Sequence, residues 1–98
     1  MVIAVAYVHI ETQDCFSLKE KRSVVKSIKE RLAQRFNLSV AEVDYLDDWH
    51  QSLLGIALVS NEQKHANSML TQVMNYIEKT YPHRMSDFQM DFIHYGFD

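Results

Sequence analysis

The chain has 98 residues, of which 47% are apolar and 23% charged, with two glycines, one proline and one cysteine. That is enough apolar material for one core, so a single domain over residues 1–98 is expected, and it excludes intrinsic disorder, collagen-like repeats and a disulfide framework. The formal net charge of −3 excludes a uniformly basic polyanion binder.

Residues 2–10 (VIAVAYVHI) are rich in valine and isoleucine and apolar on both alternating faces at the start, the pattern of a central strand. The segment lacks the basic leader and cleavage site of a signal peptide, and it is far short of the ~20 residues of a membrane span. Ser17-Leu18-Lys19-Glu20 has the S-x-x-E form of a capping box. Val24, Val25, Ile28, Leu32 and Phe36 follow at helical spacing, which predicts a helix over 17–36 with Asn37 as a left-handed stop.

Residues 39–46 alternate, and residues 51–60 (QSLLGIALVS) form a second apolar strand, so the two are expected to make a hairpin around Asp47-Asp48-Trp49-His50. Ser60 to Gln63 reads as a second capping box. Ala66, Met69, Leu70, Val73 and Ile77 then mark an amphipathic helix that ends at Tyr81-Pro82. Residues 86–95 alternate as a last strand. The order β-α-β-β-α-β predicts an α+β, ferredoxin-like architecture: a four-stranded antiparallel sheet with two helices on one face.

Strict alternation assigns Val2, Ala4, Ala6, Val8, Ile10, Leu54, Ile56, Leu58, Phe88, Met90 and Phe92 to the helix side of the sheet. It leaves Val5, Tyr7, His9, Glu11, Glu42, Asp44, Val59, Asp91, Ile93 and Tyr95 on the open side. Tyr7 and Tyr95 there suit base stacking, but the carboxylates beside them repel phosphates, so this face fits a protein partner better than RNA. Tyr7, Trp49, Ile93 and Tyr95 are the candidate partner interface, with a homodimer as one form.

The charge is unevenly spread. Residues 1–36 hold seven basic and four acidic groups, whereas residues 37–98 hold three basic and nine acidic ones. On the first helix Lys19, Arg22, Lys26 and Lys29 fall within one stripe of about 80°. Lys21 points toward the apolar sector near the helix N-terminus, where a cation opposes the dipole, and this demands a structural or binding reason. Lys19, Lys21, Arg22, Lys26 and Lys29 are the candidate nucleic-acid contacts, because such a row tracks a phosphate backbone without reading sequence. The competing reading is an ordinary solvated helix face.

No phosphate-binding glycine loop, C-x-x-C or G-x-S-x-G motif is present. A small acylphosphatase shares the element order, but its anion loop and arginine are missing after the first strand. Asp47, Asp48 and His50 could form part of a metal site in the hairpin turn if they converged with a supporting second shell, the competing and favoured reading being a solvated acidic turn, and Cys15 alone carries no nucleophile motif. The expectation is therefore a non-enzymatic protein with no cofactor, no metal, no small-molecule ligand and no membrane partner. The lone cysteine suits a reducing, cytoplasmic setting.

Ser17-Leu18-Lys19-Glu20-Lys21-Arg22, followed by Val24-Val25-Lys26-Ser27-Ile28, resembles the S-L-K-[DE]-K-R-x-V signature of the YlxP-like family, a bacterial domain of unknown function. A second block, residues 37–44 (NLSVAEVD) with Trp49 and residues 55–61 (GIALVSN), supports the resemblance, which covers residues 1 to about 80. The resemblance implies a ferredoxin-like fold, a small cytoplasmic protein and, from genes neighbouring those of translation initiation and ribosome-binding factors, a setting near the ribosome or RNA. It implies no enzyme activity. It marks Lys19, Lys21, Arg22, Glu42 and Trp49 without giving them roles. Tyr7, His9, Tyr45, Leu46, His50, Gln51 and the aromatic strand after Pro82 depart from it.

Overall fold

The computed structural model describes residues 1–96. It contains β1 (Val2–Glu11), α1 (Leu18–Arg35), β2 (Ser39–Asp44), β3 (Gln51–Ser60), α2 (Gln63–Thr80) and β4 (Met85–His94). The sheet order is β2-β3-β1-β4, with every neighbouring pair antiparallel. This is the predicted ferredoxin-like arrangement. β1 takes a central position because it is apolar on alternate residues over its whole length, and its burial pattern alternates accordingly.

The core lies between the sheet and the helices. Val2, Ala4, Ala6, Val8 and Ile10 of β1 meet Leu54, Ile56 and Leu58 of β3. Val25, Ile28 and Leu32 of α1 and Ala66, Leu70, Val73 and Ile77 of α2 close over them. Phe88, Met90 and Phe92 of β4 pack against this cluster while half-buried, because β4 is an edge strand. Each fully buried leucine or isoleucine contributes about 1.5–3 kcal/mol of transfer free energy.

Local details of the element ends differ from the sequence reading. Ser17 caps α1, its Oγ accepting from the Glu20 amide at 3.1 Å. The Glu20 carboxylate reaches one residue further back than in the usual box and accepts from the Phe16 amide at 3.1 Å. Asn37 is not a left-handed stop: α1 ends at an extended Phe36, and only Tyr45 and His83 have positive φ among the described non-glycine residues. Ser60 does not cap α2, because it is still paired with Val2 as the last residue of β3. The cap position is Glu62, and Ser60 Oγ instead bonds to the Glu62 backbone.

Candidate interaction surfaces

β2 runs in a register that reverses part of the expected open face. Val40 stands opposite Ile56 and Glu42 opposite Leu54, so both lie on the helix side, while Ala41 opposes Gly55 on the open side. A bulge between Glu42 and Asp44 then shifts the strand by one residue. Glu42 is therefore not an open-face carboxylate. It is the partner of Lys21, whose Nζ lies 2.6 Å from Glu42 Oε2 and donates to the Tyr45 carbonyl at 2.8 Å. Ser52 Oγ donates to the same Glu42 oxygen at 2.6 Å.

This pairing also removes Lys21 from the candidate nucleic-acid contacts. Its side chain is 0% exposed and ties α1 to β2 and to the hairpin. The charge that opposes the helix dipole has a structural purpose, since a buried ammonium is tolerated only with its partner and hydrogen bonds in place. The other four positions of the row remain on the outside of α1, with Lys29 half-buried. Arg22 approaches Asp47 at 4.0 Å and Lys26 approaches Glu30 at 3.9 Å. Both pairs are loose and solvent-exposed, so they hold these cations weakly.

The open side of the sheet carries Tyr7, Val59, Ile93 and Tyr95, each at least half exposed. Alternation puts Ile3, Val59 and Ile93 in one cross-strand row and Tyr7, Gly55, Ala41 and Gln89 in another. Gly55, Ala57 and Ala41 make a shallow hollow beside Tyr7, bounded by Val5, Val43 and Asp91. A Cβ on Gly55 would sit 2.9 Å from Val43 Cγ1, so the glycine leaves room for the Val43 side chain in its present rotamer. The sequence reading missed this hollow, although its signal is visible as small residues at alternate positions 55 and 57 of an otherwise large-residue strand. Tyr95 is fastened to the N-terminus: its amide donates to the Met1 carbonyl at 2.8 Å, and the Met1 ammonium donates to its carbonyl at 2.9 Å.

The long edge strand β4 is guarded. Half the amides of an edge strand point away from the sheet and invite another chain. Here Asp87 Oδ1 accepts from the Phe88 amide at 3.0 Å and Asp91 Oδ1 accepts from the Phe92 amide at 2.8 Å. These carboxylates occupy two of the donors that a further strand would need.

At the hairpin, Trp49 is 38% exposed and stacks on His50 with centroids 4.7 Å apart, while its carbonyl accepts from Thr12 Oγ1 at 2.9 Å. It is thus held against its neighbour and not against the core. His9 of β1 stacks on Tyr45 and its Nε2 lies 2.8 Å from Gln51 Oε1. Asp48 accepts from the His50 amide and from Gln51 Nε2, and the Gln51 hydrogen bond foremost holds its carboxyl below the usual aspartate range. Asp47 points away to Arg22, so Asp47, Asp48 and His50 do not converge, and no three potential metal ligands do so among the described residues.

On the far side of the same end, Arg84 grips Asp14 in a two-pronged pair at 2.8 and 3.0 Å and donates to the Glu11 carbonyl. That hydrogen bond lowers the Asp14 pKa. Cys15 is buried, and burial pushes its thiol up, away from the reactive thiolate. No described helix is long and apolar enough to cross a membrane.

The comparison with known proteins agrees with the signature on α1. The chain is 40% identical over 65 residues to the uncharacterized protein YlxP of Bacillus subtilis, an overlap of 66% of this chain and 71% of that protein. A family model described as a protein of unknown function (DUF503) matches residues 3–90, which takes in the ferredoxin-like sheet except Val2 of β1 and the last four residues of β4. The match ends within β4, so Phe88 lies inside it and Phe92 and Tyr95 lie beyond it, and the chain belongs to the DUF503 family.

Proposed function

We propose that the protein is a non-enzymatic docking module that works as a homodimer through the open face of its sheet. The observation that carries this reading is the placing of a knob beside a hollow: Tyr7, 55% exposed, stands next to the depression over Gly55, Ala57 and Ala41. A two-fold interface brings the same patch of each copy together, so residue i meets j while j meets i. Two copies turned about an axis between knob and hollow seat each Tyr7 in the other's depression, with the row of Ile3, Val59 and Ile93 covered on the same face. With strands about 4.8 Å apart and about 3.3 Å per residue, the face offers roughly 500–600 Å², below the ~800 Å² per partner of a standard interface and in the range of a weak, concentration-dependent dimer. The guarded β4 edge disfavours the alternative of edge-to-edge pairing.

The test is sedimentation velocity in high salt. A dimer is expected for the wild type and a monomer for Tyr7→Arg with an unchanged circular dichroism spectrum. A wild type that stays monomeric at its highest soluble concentration would refute the reading.

A second reading is favoured by the exposed flank of α1. Lys19, Arg22, Lys26 and Lys29 recur at i, i+3, i+7 and i+10, and two of them have only the loose partners described above. That spacing supports contact with RNA or the ribosome in a cytoplasmic setting. Cosedimentation with ribosomal subunits at low salt, lost at moderate salt and in Arg22→Glu/Lys26→Glu, is the expected result. No sedimentation at low salt rejects it.

A further inference from the structure

We infer that a second groove, between the C-terminal halves of α1 and α2, docks a single strand of RNA. This inference does not rest on the dimer, and it uses the flank of α1 opposite to the Lys19–Lys29 stripe. Arg35, Phe36, Gln72, Asn75, Tyr76 and Lys79 line the groove. The lining holds two cations, two aromatic rings and two side-chain amides, and no carboxylate, in a chain whose net charge is −3.

Three features make this more than a solvated helix face. First, Arg35 and Lys79 form no ion pair among the described residues, as is also true of Arg31, Lys19, Lys29 and Lys64, so the charge of both groove cations is open to a phosphate. Second, Arg35 is held in position: its guanidinium carbon lies over the Tyr76 ring at 4.8 Å, and Phe36 meets that ring edge-on at 5.7 Å. One turn earlier Arg31 lies over Tyr81 at 5.9 Å. A guanidinium resting on an aromatic ring keeps its in-plane N–H fork free for phosphate and turns its other face outward as a platform for a base.

Third, Gln72 and Asn75 each bring both a donor and an acceptor, a pairing that a base edge or a ribose hydroxyl engages at both atoms. From Gln72 to Lys79 the helix runs about 10 Å, so the groove engages a short stretch of strand. The combination of cations, planar platforms and amides selects a nucleic-acid strand over an acidic peptide.

The experiment is fluorescence anisotropy of the full chain with labelled oligouridine and oligoadenosine of about ten nucleotides, a length within single-strand site sizes. It is run at about 50 and 200 mM salt. Arg35→Glu/Lys79→Glu is compared with Arg22→Glu/Lys26→Glu, and both variants are checked by circular dichroism. The expected result is salt-sensitive binding by the wild type, weakened at least about tenfold in the groove variant and retained in the stripe variant.

Loss in the stripe variant alone would overturn the groove and favour the α1 stripe. Equal binding of a polyglutamate peptide would overturn the choice of nucleic acid, and binding of adenosine monophosphate as tight as that of the strand would overturn docking of a strand. No binding of either oligonucleotide at the lower salt would overturn this inference while leaving the dimer reading untouched.

Discussion

Replacing Lys21 with methionine keeps the length and apolar stem of the side chain and removes only the ammonium. Glu42 then keeps the Ser52 hydroxyl but loses its counter-charge, and the Tyr45 carbonyl keeps only the Asp48 amide as donor. Breaking a buried pair by removing one partner costs about 3–5 kcal/mol. The Glu42 side chain is 13% exposed, so water reaches part of it and the cost falls at the lower end, about 3 kcal/mol. A surface lysine used for phosphate contact would instead change stability by less than about 0.5 kcal/mol.

For a chain of this size about 3 kcal/mol lowers Tm by roughly 12–24 °C. The assay is urea unfolding followed by helix circular dichroism and by fluorescence of Trp49, the single tryptophan, which sits in the hairpin that Lys21 helps to hold. Lys21→Met/Glu42→Leu removes both charges and is expected to recover most of the loss, because an apolar pair of similar volume replaces a buried ion pair at little cost. A single variant within about 0.5 kcal/mol of wild type, or a double variant equal to the sum of the two singles, refutes the assignment of Lys21 to the interior.

Other expectations concern the same framework. Ser17→Ala removes the acceptor for the Glu20 amide and is expected to cost about 1 kcal/mol in urea unfolding, with a smaller loss for Ser17→Gly. Asp14 is held below its ordinary pKa by Arg84, so its stabilisation is fully present above the unfolded-state value and is lost as pH falls through the lower folded-state value. Thermal melts of Asp14→Asn and wild type are therefore expected to differ at neutral pH and to converge below about pH 4; a gap that stays constant contradicts the linkage. Gly55→Ala forces Val43 Cγ1 to move from 2.9 Å. Val43 is half exposed and able to turn, so the expected cost is about 1 kcal/mol, and it is absent in a Val43→Ala background; an equal cost in both backgrounds places the strain elsewhere.

The element order, the core and the helix faces were legible because each rests on a repeating pattern. Val25, Ile28 and Leu32, or Val2, Ala4, Ala6 and Val8, recur at the period of their own element and bury together. The first cap was legible because it is local, spanning Ser17 to Glu20. The second cap failed because Ser60 was claimed by long-range pairing with Val2, which outweighs a single side-chain bond.

What the sequence by itself determined is thus the fold class, the side of each long strand that faces the helices, and the family to which the chain belongs. Only the tertiary structure decided the fate of residues whose environment depends on a distant partner. Lys21 and Glu42 each look like surface charges, and both turn inward because each satisfies the other across 21 residues of chain. The six residues of β2 carry too little apolar contrast to fix their own register, so β3 and the bulge fixed it for them. Which cations stay unpaired was settled in the same way, since periodicity reports one element at a time while an ion pair belongs to two.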